Sequence, residues 1–259
     1  MDKLSALKAL LIDLDGTVYI GDALLPGAAE AIAYLREKHL PFRFTTNTTT
    51  RSTASLYEKL RRLGLDVREG EIFGAIPAAV RYLRQFGRPK CFFLLTEDPL
   101  QDFAEFPHTE SNPDFVVVGD IGKRWNYELT QKVFEMLMGG SKLLALHKGK
   151  YWQTEHGLQV DMGAFVAGLE YVTGRPATVV GKPAKEFFTL ALSDLGVAPE
   201  EAAMIGDDIE SDIGGAQAAG LRGILVKTGK YRDHLAAASA VTPDAVVDSI
   251  AALPEFLPE

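Results

Sequence analysis

The chain has 259 residues, 47% of them hydrophobic, which suits one large domain or two smaller ones and excludes a disordered protein. Its 35 acidic residues outnumber its 27 basic ones, and the formal net charge of -8 disfavours nucleic acid as a partner. The only cysteine, Cys91, excludes an intramolecular disulfide and a metal site built from several cysteines. There is no signal-peptide pattern and no apolar run long enough to cross a bilayer, so we expect a cytoplasmic protein without a membrane partner.

Short apolar runs without strict alternation predict buried strands, because such runs are typical of strands covered on both faces of a parallel sheet. In chain order they are residues 9–12, 42–46, 92–95, 115–118, 143–146, 178–180, 202–205 and 223–226. Apolar residues at helical spacing predict helices around residues 28–35, 56–63, 133–137 and 187–191. The alternation of strands and helices predicts an α/β fold with a parallel sheet and right-handed crossovers.

Two aspartates, Asp13 and Asp15, directly follow the first predicted strand. Ligands of parallel α/β sheets bind at the carboxyl ends of the strands. Two carboxylates held close together are costly unless a cation or a shared proton relieves their repulsion. Mg²⁺ suits this position, because it takes oxygen ligands and leaves coordination positions for phosphate oxygens. A simple Asp-Gly turn that ends the strand is the alternative interpretation.

Polar residues also follow two later predicted strands. Thr46 and Asn47 can donate hydrogen bonds to a phosphate, although a role in capping the next helix is an alternative. Lys182 follows a glycine turn and can place a positive charge on a phosphate, although a lysine in a solvated loop is the simpler interpretation of that segment alone.

Two further aspartates, Asp207 and Asp212, follow the predicted strand 202–205. Asp207 could bind the same cation as Asp13, and Asp212 could support the site from the first turns of the next helix. Acidic enrichment at a helix N-terminus is the alternative interpretation. Four strand ends thus supply acids, hydrogen-bond donors and a lysine, which are the groups that phosphoryl transfer requires.

The motifs "DLDGT", "TTN", "GKP" and "GDDIESD", in this order, resemble the four motifs of the haloacid-dehalogenase superfamily of phosphatases. The long segment between the second and third motifs resembles the type-2a cap of the NagD-like branch. Residues 151–183 resemble in particular the mammalian-type phosphatases and hydrolase-domain-containing proteins of that branch. The resemblance implies a Rossmann-like parallel-sheet core, residues 1–75 and 178–259, and a smaller inserted α/β cap of the C2 type, residues 76–177.

The same resemblance implies three groups of site residues. The catalytic residues would be Asp13 as the nucleophile, Asp15 as the general acid and base, and Lys182. The residues that contact the substrate phosphate would be Asp13, Leu14, Asp15, Thr46, Asn47 and Lys182. The Mg²⁺ ligands would be Asp13, the backbone carbonyl of Asp15, and Asp207, with Asp212 supporting the loop.

We therefore predict a magnesium-dependent phosphatase that hydrolyses a small phosphorylated metabolite through an aspartyl-phosphate on Asp13. A phosphotransferase or mutase on the same core is an alternative. A non-catalytic protein that binds a phosphorylated ligand is a second alternative, which the intact pair Asp13 and Asp15 disfavours. In the cap, Asp161 could contact the leaving group or cap a helix. The sequence identifies neither the substrate nor the oligomeric state, and it leaves a homodimer open.

Overall fold

The computed structural model describes residues 7–68, 70–154, 157–193 and 195–256. Its strands, numbered along the chain, are β1 (Ala9–Asp13), β2 (Tyr19–Ile20), β3 (Ala23–Leu24), β4 (Phe42–Thr46), β5 (Ile72–Gly74), β6 (Cys91–Leu94), β7 (Phe115–Val118), β8 (Lys142–Ala145), β9 (Tyr151–Thr154), β10 (Gly157–Val160), β11 (Thr178–Val179), β12 (Ala202–Gly206), β13 (Arg222–Val226) and β14 (Ala245–Val247). Its α-helices are α1 (Ala28–Glu37), α2 (Thr53–Arg62), α3 (Ala75–Arg84), α4 (Tyr127–Met138), α5 (Gly163–Thr173), α6 (Lys185–Ser193), α7 (Gly215–Ala218), α8 (Asp233–Ala238) and α9 (Leu253–Phe256). Shorter helical turns are Asp98–Phe103, Gly122–Arg124, Pro199–Glu201, Ile250–Ala252 and the π-helical Ile209–Gly214.

The larger sheet has six parallel strands in the order β14-β13-β12-β1-β4-β5. Strand β1 lies between β12 and β4, and all five of its residues are buried. Successive residues of β1 contact different apolar clusters: Leu11 packs with residues of α3 and α6, and Ile12 packs with residues of α1 and α2. Helices therefore cover both faces of the sheet, which is why the strand is apolar throughout instead of alternating. The predicted α/β class is confirmed.

A smaller sheet has four parallel strands in the order β11-β8-β7-β6. Helices α4 and α5 cover one face, where Val116, Val133 and Val166 belong to one cluster. Residues of the other face, including Val117 and Leu144, share a cluster with α3 and with the larger sheet. The two sheets thus meet through one continuous apolar cluster, and the antiparallel hairpin β9–β10 extends from the smaller sheet's part of the chain.

Every predicted run contains a strand. Strand β11 has the predicted position in the chain but belongs to the smaller sheet. Residues 178–179 were assigned to the start of the second core segment, whereas β11 pairs with β8 in the smaller sheet. The division into a core and a cap stays a proposal. Several elements were not predicted from the sequence: β5, the exposed hairpin β9–β10, β14, and helices α3, α8 and α9. The helix expected after Asp207 is the π-helical turn Ile209–Gly214 continued by α7, and α5 was expected only as the helix that Asp161 could cap. Among the described residues, no helix combines the length and apolar character needed to span a membrane.

Candidate active site

A cavity of about 170 Å³ lies at the carboxyl edge of the larger sheet. It is lined by the predicted residues Asp13, Asp15, Thr46, Asn47, Asp161, Lys182, Asp207 and Asp212. Leu14 is the exception, because its side chain is fully buried in the apolar cluster beneath β1. Any contact of Leu14 with a ligand would therefore come from its backbone.

Asp13 ends strand β1 and is buried at the bottom of the cavity. Lys182 Nζ donates a hydrogen bond to Asp13 Oδ1 at a distance of 2.5 Å, and Thr17 Oγ1 lies 3.4 Å from Asp13 Oδ2. Burial raises the pKa of Asp13, and Lys182 opposes that shift. The carboxyl group is thus held in a fixed orientation next to a positive charge.

Lys182 bridges two acids. Its Nζ is also 2.7 Å from Asp212 Oδ1, and the lysine side chain is almost fully buried. Burial alone would lower the pKa of Lys182, but Asp13 and Asp212 raise it above the ordinary value. The alternative interpretation of Lys182 as a solvated loop residue is wrong.

Asn47 positions Lys182, which differs from the direct phosphate contact expected from the sequence. The Asn47 side chain donates to the Lys182 carbonyl and accepts from the Lys182 backbone N–H, both at 2.9 Å. These two hydrogen bonds connect the segment after β11, which belongs to the smaller sheet, with the end of β4 in the larger sheet. A contact of Asn47 with phosphate stays a prediction.

Helix α2 is capped by Ser52, whose side chain accepts from the Ser55 N–H, and neither Thr46 nor Asn47 is its N-cap. Thr46 instead exchanges hydrogen bonds with Thr48 at 2.9 Å and lines the cavity. The Thr46 hydroxyl therefore does not cap helix α2.

Three buried acids offer a site for a divalent cation. Oxygen atoms of Asp13, Asp207 and Asp212 lie within 4.8 Å of one another. Burial raises the pKa of Asp207 and of Asp212, and Asp13 contributes to both shifts through like-charge repulsion. A hard cation with oxygen ligands would relieve this repulsion, so the donor set fits Mg²⁺. The Asp15 carboxyl group is not among these three, and coordination by the backbone carbonyl of Asp15 stays a prediction.

Two glycines pass closely over Asp207. Gly16 and Gly229 have φ values of +90° and +56°, and a Cβ atom at these positions would lie 2.0 and 1.9 Å from Asp207 Oδ2. The next residue, Lys230, donates its backbone N–H to the same oxygen over 2.6 Å. Both turns therefore hold the carboxyl group of Asp207 in place.

Lys230 was missed by the sequence analysis. Its Nζ lies 3.2 Å from Asp208 Oδ2. Burial would raise the pKa of Asp208, but Lys230 holds it below the ordinary value. The available signal was a polar Thr-Gly-Lys turn shortly after the predicted strand 223–226, at the same sheet edge as the other motifs.

The smaller sheet supplies the other side of the cavity with Asp120, His147, Trp152 and Asp161. His147 is buried, and its Nδ1 accepts the Gly149 N–H over 3.0 Å. Burial lowers the pKa of His147, while Asp161, whose Oδ2 is 3.9 Å from His147 Nδ1, opposes that shift. Asp161 Oδ1 accepts the Met162 N–H over 2.7 Å, and the N-cap of α5 is Met162, so Asp161 is not that helix's N-cap. The sequence analysis assigned no role to any histidine.

The parallel α/β fold with an acid-rich cavity at its carboxyl edge suits an enzyme of phosphoryl transfer, and comparisons with known proteins agree. A family model described as haloacid dehalogenase-like hydrolase matches residues 10–106, and a second, described as HAD-hydrolase-like, matches residues 179–253. Haloacid dehalogenase-like hydrolase domain-containing protein 2 of Bos taurus is 46% identical over 227 residues, 88% of this chain and 86% of the relative. The phospholysine phosphohistidine inorganic pyrophosphate phosphatase of the same species is 40% identical over 264 residues, 99% of this chain and 96% of the relative.

Solved structures show the same fold. The 4-nitrophenylphosphatase of Thermotoga maritima superposes with a TM-score of 0.90 at 31% identity, covering 98% of this chain and 99% of that one. NagD of E. coli superposes with a TM-score of 0.83 at 26% identity, covering 95% and 97%. The chain belongs to the haloacid dehalogenase-like hydrolase family and to its phosphatase class. The predicted resemblance to NagD-like phosphatases is confirmed.

Proposed function

We propose that the chain is a magnesium-dependent phosphatase that hydrolyses small phosphate monoesters through an aspartyl-phosphate on Asp13. The main supporting observation is the position of Asp13. Its carboxyl group accepts a hydrogen bond from Lys182 at a distance of 2.5 Å and lies close to Asp207 and Asp212, in a cavity large enough for a small ligand. The names of the similar nitrophenylphosphatases support the substrate class.

In the first step, a carboxylate oxygen of Asp13 attacks phosphorus, and the bond between phosphorus and the leaving oxygen breaks. Asp15 gives its proton to that leaving oxygen. In the second step, Asp15 takes a proton from water, the water oxygen attacks phosphorus, and Asp13 is released as a carboxylate. Lys182 would stabilise negative charge on Asp13 and on the phosphoryl oxygens, and the Thr46 hydroxyl, which donates to Thr48 in this structure, would donate to the phosphoryl oxygens when substrate binds.

Mg²⁺, held by Asp13, Asp207 and the backbone carbonyl of Asp15, would neutralise charge on the phosphoryl oxygens. Asp212 keeps Lys182 charged and in position. We further propose that residues 76–177 act as a cap that closes over the phosphoryl group and contacts the leaving group.

The test is the release of inorganic phosphate from p-nitrophenyl phosphate in the presence of Mg²⁺ and in the absence of any acceptor, which a phosphotransferase would require. We expect a chelator to abolish turnover, Mg²⁺ to restore it, and Ca²⁺ to restore it poorly because Ca²⁺ favours a larger and looser oxygen shell. Asp13→Asn should abolish turnover while the thermal unfolding curve stays cooperative. Full activity without metal, or substantial phosphate release by Asp13→Asn, would refute the proposal.

A further inference from the structure

The cavity is unusually rich in acids for a site that binds an anion. Among the described residues, its lining includes seven aspartates but only two lysines. Lys182 is paired with Asp13 and Asp212, and Lys230 is paired with Asp208. Both lysines of the lining therefore already form ion pairs with aspartates of the proposed phosphoryl site.

Two of the aspartates come from the side of the smaller sheet. Asp120 follows β7, and its Oδ1 accepts the Gly122 N–H over 2.8 Å. Asp161 precedes α5, is about nine-tenths buried, and uses its Oδ1 to accept the Met162 N–H. Each of these hydrogen bonds occupies one oxygen of the carboxyl group. Asp161 Oδ2 lies 3.9 Å from His147 Nδ1, which is beyond hydrogen-bond distance, and among the described residues neither Asp161 Oδ2 nor Asp120 Oδ2 accepts a hydrogen bond, so each can accept one from a ligand in the cavity that both residues line.

His147 adds a donor to this side without adding charge. Its Nδ1 accepts the Gly149 N–H over a distance of 3.0 Å, and a ring nitrogen that accepts carries no proton, so the single ring proton is on Nε2. Gly149 also allows the two side chains to lie together, because a Cβ there would be 2.4 Å from Asp161 Oδ2 and 3.1 Å from His147 Nδ1. The imidazole therefore cannot compensate the charge of the neighbouring acids.

We propose that Asp120 and Asp161 make this phosphatase select leaving groups that carry an amine over leaving groups that carry a carboxylate or a second phosphate. The inference rests on the proposed function and narrows its substrate class to phosphate monoesters of amino alcohols. An ammonium group on the leaving alcohol is attracted by the two aspartates. A carboxylate in the same place is repelled, and no unpaired cation among the described lining residues receives it.

The test compares phosphoethanolamine with phosphoglycolate, two-carbon esters that differ in an ammonium and a carboxylate group. We expect the wild-type kcat/KM to favour phosphoethanolamine by about tenfold or more, a modest figure for two partly buried charges at short range. Asp120→Asn and Asp161→Asn keep the hydrogen bonds to Gly122 and Met162 and remove the charge. Each should reduce the preference about threefold or more, and the double variant should reduce it further, at constant ionic strength.

Asp114→Asn is the matched control, because it removes the same charge from the opposite end of β7, outside the cavity. It should leave the preference unchanged. Equal kcat/KM values for the two esters in the wild type, or an unchanged ratio in the double variant, would overturn the inference.

The failure of the proposed function would look different, because p-nitrophenyl phosphate would then not be hydrolysed either. In that case the inference is still tested by calorimetry on the wild-type protein, which would then not consume the esters, and phosphoethanolamine should bind about tenfold or more tightly than phosphoglycolate. Equal dissociation constants, or tighter binding of phosphoglycolate, would reject charge selection by the cavity itself.

Discussion

Asp15 differs from Asp13 in its surroundings, although only one residue separates them. Asp13 is buried against Lys182, whereas the Asp15 side chain faces the open part of the cavity. Desolvation by the cavity walls raises the pKa of Asp15, and Lys59 opposes that shift. Because the pKa of Asp13 is also raised by burial, the two acids differ in exposure and not in the direction of the shift, and the exposure of Asp15 suits contact with the leaving group and later with water. The difference in environment supports the different roles proposed for the two acids.

The role of Asp15 can be separated into its two steps with p-nitrophenyl phosphate, whose leaving group needs little help from an acid. We expect Asp15→Asn to release about one equivalent of p-nitrophenolate in a burst and then to turn over ~10²–10⁴-fold more slowly than the wild type. Rapid-quench or stopped-flow absorbance measures both phases. A steady-state rate within a few-fold of wild type would remove Asp15 from acid–base catalysis.

Gly16 is predicted from its environment to be essential for the geometry of Asp207. Gly16→Ala places a Cβ 2.0 Å from Asp207 Oδ2, and Gly21→Ala, also at positive φ, has no atom within 4 Å of its added Cβ. Both variants should lose about 1–2 kcal/mol of unfolding free energy from the backbone conformation. Only Gly16→Ala should also weaken Mg²⁺ binding, measured by titration calorimetry. Equal Mg²⁺ affinity in the two variants would show that Asp207 does not depend on this close approach.

At the scale of elements, the strands that carry the motifs were the most predictable part of the fold. Strands β1 and β12 are largely apolar and covered on both faces, and β4 begins with the buried pair Phe42 and Phe44, so their sequences contain a strong signal. The hairpin β9–β10 has no such signal, because the described side chains of β10 are largely exposed. Helix α5 begins at a glycine and has a weakly segregated apolar face, so its helical period is faint.

Helix α2 is joined at its N-terminus to a turn from the segment that we propose as the cap. Asp98 accepts the Ser52 N–H over 2.7 Å and the Ser55 hydroxyl over 2.8 Å. Burial would raise the pKa of Asp98, but these hydrogen bonds lower it below the ordinary value. An acid at a helix N-terminus is also favoured by the helix dipole.

This contact should stabilise the protein by about 1 kcal/mol, since solvent screens the charge of the accessible Asp98. We expect a double-mutant cycle of Asp98→Asn and Ser55→Ala, measured by urea unfolding at pH 7, to show a positive coupling energy. Because the pKa of Asp98 is lower in the folded state, the contribution is present above the unfolded-state pKa near ~3.9 and is lost as the pH falls below it. Coupling that is absent at pH 7 would mean that the contact contributes nothing to stability.

At the scale of the whole molecule, the sequence predicted the catalytic edge better than the contribution of the smaller sheet. Three of the four motifs follow buried strands of the larger sheet, and the fourth follows β11, a half-buried strand of the smaller sheet. Asp120 and His147 also follow strands of the smaller sheet, β7 and β8, but isolated polar residues in long loops do not form a recognisable motif. Their meeting with Asp13 depends on how the two sheets pack, which local patterns do not contain.

That packing uses one apolar cluster that includes Leu11 of the larger sheet, Val117 and Leu144 of the smaller sheet, and residues of α3 such as Ala79. A cluster shared by both sheets couples their stabilities, because neither sheet can lose its structure without exposing apolar surface of the other.

We therefore expect one calorimetric unfolding transition, with the calorimetric and van't Hoff enthalpies equal. Ala79→Asp, which buries an unpaired charge in the shared cluster, should lower the single transition temperature without splitting it. Asp114→Asn, on the surface of the smaller sheet's segment, serves as the control. Two separate transitions in the wild-type protein, one for each sheet, would show that core and cap fold independently and that the shared cluster does not couple them.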